Sequence, residues 1–237
     1  MDSRKLLAIF RKDFSQYFSS PMGYVVLFIY FFVTGFFFYN GIQQSHMASL
    51  TSSLSTNTFI LLFLAPLITM RLWSEEEKSG TVELLRTSPL TLWEIVMGKY
   101  LAVCAFFAVM LIPSFIYFIL LAVMGNPELG VTFANYVGFC LIAMTFFSLG
   151  LFCSTLSENQ IVSGVIAYFV LIMLWVVGIA GQFAQGGLRE FLNGISLYGN
   201  LLDFWKGVID LTHVFYYASF IFFGLFLSVM VLEGKRD

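Results

Sequence analysis

The chain has 237 residues, 59% of them hydrophobic and only 11% charged, with a mean hydropathy of +0.88. A soluble domain carries about a quarter charged residues, so this composition excludes one. About six apolar spans of roughly 20 residues leave no room for a second domain, and residues 1–237 read as a single all-α membrane domain. The net charge of −2 says little about partners, and no nucleic acid is expected among them.

Ser3 to Phe18 place Leu7, Phe10, Phe14 and Tyr17 at helical spacing, with Arg4, Arg11, Lys12 and Ser15 toward the other face. This predicts an amphipathic helix lying in the membrane plane, its basic face among the headgroups. Pro21 and Gly23 end it and turn the chain into a first span over about Met22 to Tyr39. Polar residues from Asn40 to Asn57 read as a loop. A second span covers about Phe59 to Leu72, with Pro66 inside it, and a charged segment runs from Arg71 to Lys99. The third span is about Tyr100 to Met124, containing Pro113, and Gly125 to Gly130 form a tight turn. The fourth span runs about Phe133 to Cys153 and the fifth about Ile161 to Ile179. A mixed connection, Gly181 to Asp210, precedes the last span, about Leu211 to Leu232.

Arg4, Lys5, Arg11, Lys12, Arg71, Lys78, Arg86, Lys99, Lys235 and Arg236 fall on one side of a six-span arrangement. Arg189 and Lys206 fall on the other. Lysine and arginine concentrate on the cytoplasmic side, so both termini are expected there.

No Asp, Glu, Lys or Arg occupies the middle of a span, which weighs against an ion-coupled carrier. The chain has no GxxxxGK[ST] phosphate loop, so nucleotide energy must come from another polypeptide. No nucleophile and base group together, and no catalytic residues are assigned. Cys104, Cys140 and Cys153 lie inside apolar runs and read as free thiols; His46 and His213 stand apart, and no metal site is expected.

Residues 71–100, RLWSEEEKSGTVELLRTSPLTLWEIVMGKY, hold nine of the 26 charged residues. Ser74 can cap a turn beginning with Glu75, Glu76 and Glu77, where acids are favoured. Gly80 interrupts it. Thr81 can cap a second short helix that carries Val82, Glu83, Leu84 and Leu85, ended by Ser88-Pro89. Thr91 and Glu94 have the spacing of a capping box at the entry to the third span. The segment is either a solvated loop or a short docking helix with an apolar patch.

Four stretches resemble the ABC-2 type permeases, the membrane subunits of bacterial ABC exporters. SEEEKSGTVELLRTSPLTLWEIVMGKYLA (74–102) is similar to their first cytoplasmic loop. SSPMGYVVLFIYFFVTGFFF (19–38) is similar to the entry into the first helix. STLSENQIVSGVIAYFV (154–170) is similar to the turn between helices four and five, and DFWKGVIDLTHVFYYASFIFF (203–223) to the last helix and the segment before it. The nearest resemblance is to permeases of the gliding-motility and nitrous-oxide-reductase-maturation types.

The resemblance implies six spans, an in-plane elbow helix at Ser3 to Phe18, a coupling helix within Glu75 to Leu85 and a re-entrant segment within Gln182 to Ile209. It implies a non-catalytic permease in the bacterial inner membrane that pairs with a second permease subunit. A dimer of ABC ATPase subunits would hold ATP and Mg, and an accessory subunit could join them. Two other readings stay open: an ATPase-docked scaffold of a motility or maturation complex, and a carrier that works without an ATPase.

Overall fold

Long apolar runs cross a bilayer only as helices, because every backbone N–H and C=O must be paired within the segment. The computed structural model, which describes residues 3–45, 50–82, 90–125, 128–183, 185–187, 192 and 194–235, obeys this rule, and no strand occurs among those residues. In chain order the helices are α1 (Ser3–Ser19), α2 (Pro21–Ser45), α3 (Thr51–Thr69), α4 (Arg71–Lys78), α5 (Leu92–Met124), α6 (Leu129–Thr155), α7 (Gln160–Phe183), α8 (Leu202–Trp205) and α9 (Leu211–Gly234). A 3-10 turn, Gly199–Leu201, leads into α8. Among the described residues six helical stretches are long and apolar enough to span a membrane: Pro21–Gln43, Thr51–Lys78, Leu92–Val123, Leu129–Thr155, Gln160–Gly181 and Leu211–Gly234.

The helices outrun the apolar segments that predict them. The expected loop from Asn40 to Asn57 is helical up to Ser45 and again from Thr51. Polar side chains there satisfy themselves against the helix: the Asn40 amide donates to the Phe36 carbonyl at 2.9 Å and Thr56 to Ser52 at 3.0 Å. Asn57 is buried and accepts from Thr34 of α2 at 3.1 Å.

Ser74 does not begin a new helix. Met70 continues from α3, its N–H bonding the Pro66 carbonyl at 2.8 Å, and α4 follows directly. Ser74 therefore lies inside a helix, its hydroxyl donating to the Met70 carbonyl at 2.9 Å. The turn expected to start at Glu75 is the last turn of the second span. Gly80, at φ 73°, supplies the left-handed residue after it.

α6 is the centre of the bundle. Of its most apolar window 72% is buried, against 28–33% for α2, α5, α7 and α9; α3–α4 is second at 61%. The central helices approach closely through small residues, as membrane helices do in the absence of a hydrophobic drive between them. A Cβ on Gly150 of α6 would fall on Thr69 of α3, and one on Gly224 of α9 would sit 3.0 Å from the Ser148 backbone of α6.

At the end of the bundle away from α4, residues 194–205 tuck between α6 and α9. Leu197, Leu201 and Phe204 are fully buried. Tyr216 and Tyr217 of α9 donate to the Ile195 and Leu197 carbonyls, both at 2.6 Å. Asn135 of α6, with its amide oriented to satisfy both ends, donates to the Phe204 carbonyl and accepts from Thr51, both at 2.7 Å. Asp210 caps α9 through the Thr212 N–H at 2.7 Å.

Gly150→Leu is expected to destabilise the protein by about 1–3 kcal/mol through overpacking at α3 and α6. Gly41→Ala, whose Cβ meets open space, should leave stability within about 0.5 kcal/mol. Thermal unfolding in mild detergent reads both.

Candidate functional site

The site forms where α1, α4, the start of α5, the end of α6, the start of α7 and the end of α9 converge. Its centre is the Lys99 ammonium, 1% exposed. Two carboxylates meet it: Asp13 of α1 at 3.1 Å and Glu76 of α4 at 3.0 Å. Glu76 Oε1 also binds Lys12, so two cations and two carboxylates balance. The Trp73 ring lies 5.8 Å from the Lys99 nitrogen, adding a cation–π contact. An isolated ammonium at this depth would carry a penalty of several kcal/mol; the two carboxylates make its burial possible.

Local structure sets each group. Gly98 lets α1 lie directly on α5, since a Cβ there would sit 2.9 Å from Ile9. The next residue, Lys99, then reaches Asp13, one helical turn beyond Ile9. Thr91 and Glu94 fix where α5 begins: the Thr91 hydroxyl accepts from the Glu94 N–H at 3.3 Å, and the Glu94 carboxylate from the Thr91 N–H at 3.1 Å. Pro21 opens α2 in the first-turn position that suits its fixed φ. Gly23 makes the corner between α1 and α2, because a Cβ there would strike the Tyr17 carbonyl. Tyr17 stacks on Phe106 of α5, centroids 4.5 Å apart, and donates to the Ile68 carbonyl of α3 at 3.2 Å.

Further bonds close the cluster. Arg71 grips Glu75 with two N–H groups, at 2.9 and 3.0 Å, and donates to Ser20 at 2.8 Å. Lys235 at the end of α9 binds Glu77 at 2.8 Å. The Ser74 hydroxyl pairs with Ser163 of α7 at 2.8 Å, and the Ser154 hydroxyl of α6 accepts from the Trp73 N–H at 2.9 Å.

The structure thus turns Glu75, Glu76 and Glu77 inward, each onto a cation of the same chain. Val82 is buried in the chain's own core, so it offers no apolar surface to a partner. Gly80 is exposed and Thr81 half-buried, its hydroxyl 3.0 Å from Ser79. Glu83, Leu84 and Leu85 lie outside the described residues.

α1 is rotated from the expected orientation. Ile9 and Asp13 form its buried face, while Leu7 is exposed, Phe10 and Phe14 are half-buried, and Arg4 and Arg11 are exposed. Lys12 is half-exposed and bent toward Glu76. The sequence reading missed Asp13, gave Lys99 no site role and overlooked Ser154. The available signal was a lone acid one turn after Ile9 in a basic helix, set against Gly98-Lys99.

Burial pushes the Asp13 carboxyl above the ordinary aspartate range, with the Glu76 charge adding to it and Lys99 opposing it. Burial lowers Lys12, but its hydrogen bond and charge contact with Glu76 outweigh this and hold it above the usual lysine value.

The fold is that of a multi-pass α-helical membrane protein whose buried ion pairs gather at one end. The profile of the ABC-2 family transporter proteins matches residues 7–206, α1 through α8, and the chain belongs to that family. Members of this family are generally non-catalytic membrane components of ABC transporters that work with an ATPase subunit. The match does not support the narrower gliding-motility or nitrous-oxide-reductase-maturation branch. No curated protein shows significant similarity to the chain.

Lys99→Met strands the buried Asp13 carboxylate and takes one of the two cations from Glu76, and should cost about 3–5 kcal/mol. Combining it with Asp13→Asn should recover more than half of that, since Glu76 keeps Lys12; thermal unfolding in detergent measures the cycle. The pH dependence has a definite sign. With its folded value above 3.8, Asp13 contributes stability below that pH and loses it as the pH rises through the folded value. Asp13→Asn should flatten this part of the melting-temperature profile.

Proposed function

We propose that the chain is the permease subunit of a bacterial ABC exporter in the inner membrane, with both termini cytoplasmic. A second permease subunit completes the membrane unit, and a dimer of ATPase subunits, carrying ATP and Mg, docks at the charged end. The gliding-motility and nitrous-oxide-reductase-maturation types remain the branch proposed from the four stretches of resemblance.

The observation that carries this reading, beside family membership, is the ion network that ties α4 to α1, α5 and α9. The segment following α4 is the proposed ATPase contact. Displacement there would pass through Glu76 and Glu77 into three other helices at once. A loosely solvated loop would absorb the push instead. Within the coupling region, Glu75 to Leu85, Glu75, Glu76 and Glu77 act as the internal clamp. Leu84 and Leu85 are the proposed apolar docking groups, and Gly80 is the pivot between clamp and dock. Elbow helix α1, with Arg4 and Arg11 toward the headgroups, moves with α5 because Asp13 and Lys99 join them. Residues 182–209 hold the proposed re-entrant segment, on the side of the bundle that faces away from the ATPase.

Leu84→Asp with Leu85→Asp should abolish co-purification of the ATPase and substrate-coupled ATP hydrolysis while leaving the permease folded. Retention of both activities would remove the docking assignment. Orientation is tested separately: a cysteine at exposed Lys78 should react with a membrane-impermeant maleimide only after cells are opened. Labelling in intact cells would invert the topology.

A further inference from the structure

The corner between α1 and α2 encloses a pocket of about 530 Å3, including its open mouth. Its lining is amphipathic. Met22, Val26, Leu67 and Phe106 form an apolar wall, while Asp13, Arg71, Glu75 and Glu76 supply charge at one side. Beyond the corner, α2 exposes Tyr24, Val25 and Phe28, a surface that only hydrocarbon or another apolar body can cover.

Two polar groups here have unused capacity. The Glu76 side chain is 9% exposed, and its Oε1 serves Lys12 and Lys99. Its other oxygen, Oε2, is buried and has no hydrogen-bond partner, although a buried carboxylate oxygen without a donor is costly. Arg71 has five N–H donors. Nε, one N–H on Nη2 and one on Nη1 are committed to Glu75 and Ser20. One N–H on each terminal nitrogen remains, and the side chain is 28% exposed.

We propose that this pocket binds a phospholipid whose headgroup carries a primary ammonium. The ammonium donates to Glu76 Oε2, the phosphate accepts from the uncommitted N–H groups of Arg71, and one acyl chain lies along Met22, Val26 and Leu67. The acceptor at Glu76 explains the selectivity. A primary ammonium can donate a hydrogen bond to it, a trimethylammonium cannot, and a glycerol headgroup brings no cation. The apolar wall and the adjoining apolar face of α2 favour a lipid over the soluble headgroup ester. The inference rests on the chain being a membrane protein and is independent of ATPase docking.

The test uses the full chain in mild detergent, titrated with phosphatidylethanolamine, phosphatidylcholine or phosphatidylglycerol of identical acyl chains and read by native mass spectrometry. Phosphatidylethanolamine should bind about tenfold more tightly than either, as loss of one charge-assisted hydrogen bond requires. Glu76→Gln should erase the preference. That substitution also disturbs Lys99, so Met22→Trp, which enlarges a lining side chain and replaces none of the charged groups, is the independent variant. It should remove the preferential binding with an unchanged melting temperature. Equal binding of the three lipids, or a preference that survives Met22→Trp, would overturn the proposal. Displacement of the lipid by equimolar phosphoethanolamine would overturn the lipid assignment in favour of a soluble ligand.

Discussion

A lysine side chain with almost no exposure to solvent is costly to bury unless carboxylates meet it. In this protein Lys99 is met by Asp13 from one side and Glu76 from the other. Those residues belong to three helices separated by long stretches of chain. Their meeting therefore fixes the rotation of α1, the depth of α4 and the position of the first turns of α5. The capping box at Thr91 and Glu94 sets the start of α5 in the same region, and Gly98 provides the flat surface on which α1 lies. Charge pairing dictates this geometry, because apolar contact alone would allow α1 to rotate on a surface that is greasy everywhere.

The same cluster changes what the acidic run can mean. Three consecutive glutamates after an apolar helix suggest a solvated or partner-facing surface. Here each has a different cation of its own chain, contributed by α4 itself, by α1 with α5, and by α9. Consecutive helical residues point about 100° apart, so Glu76 can hold α1 and α5 while its neighbour Glu77 holds the end of α9. A segment anchored in this way is tied to the helices whose cations it holds.

The remainder of the bundle is held by close packing and by scattered hydroxyl and amide contacts. α6 supplies most of this, with Gly150 against Thr69 and Ser148 against Gly224. Its end away from α4 binds residues 194–205 through Asn135, while Tyr216 and Tyr217 of α9 reach carbonyls of the same segment. At that end Asp203 accepts from Lys206 at 2.8 Å and lies 3.1 Å from His213. Hydrogen bonds from these two hold its carboxyl below the ordinary range. Because Asp203 is largely exposed, this pair is screened and secondary to the buried one.

Some features were legible in particular residues. The six apolar runs, the helical period from Ser3 to Phe18 and the Thr91–Glu94 spacing each depend only on near neighbours in the chain. Other features were not. The second span continues through Ser74 because Met70 extends α3, and Ser74 then finds Ser154 and Ser163, which a local reading cannot see. The buried face of α1 runs through Ile9 and Asp13 rather than Leu7, Phe10 and Phe14. In a bilayer an outward apolar side chain carries no penalty, so hydrophobicity no longer marks the inner face.

By itself, then, the amino-acid order determined how many times the chain crosses the membrane and where the charged connection lies, since hydropathy and capping act over a few residues. Tertiary structure alone decided which charges neutralise one another. Asp13, Glu76 and Lys99 are distant in sequence, and only the folded bundle brings them, largely buried, within hydrogen-bonding reach.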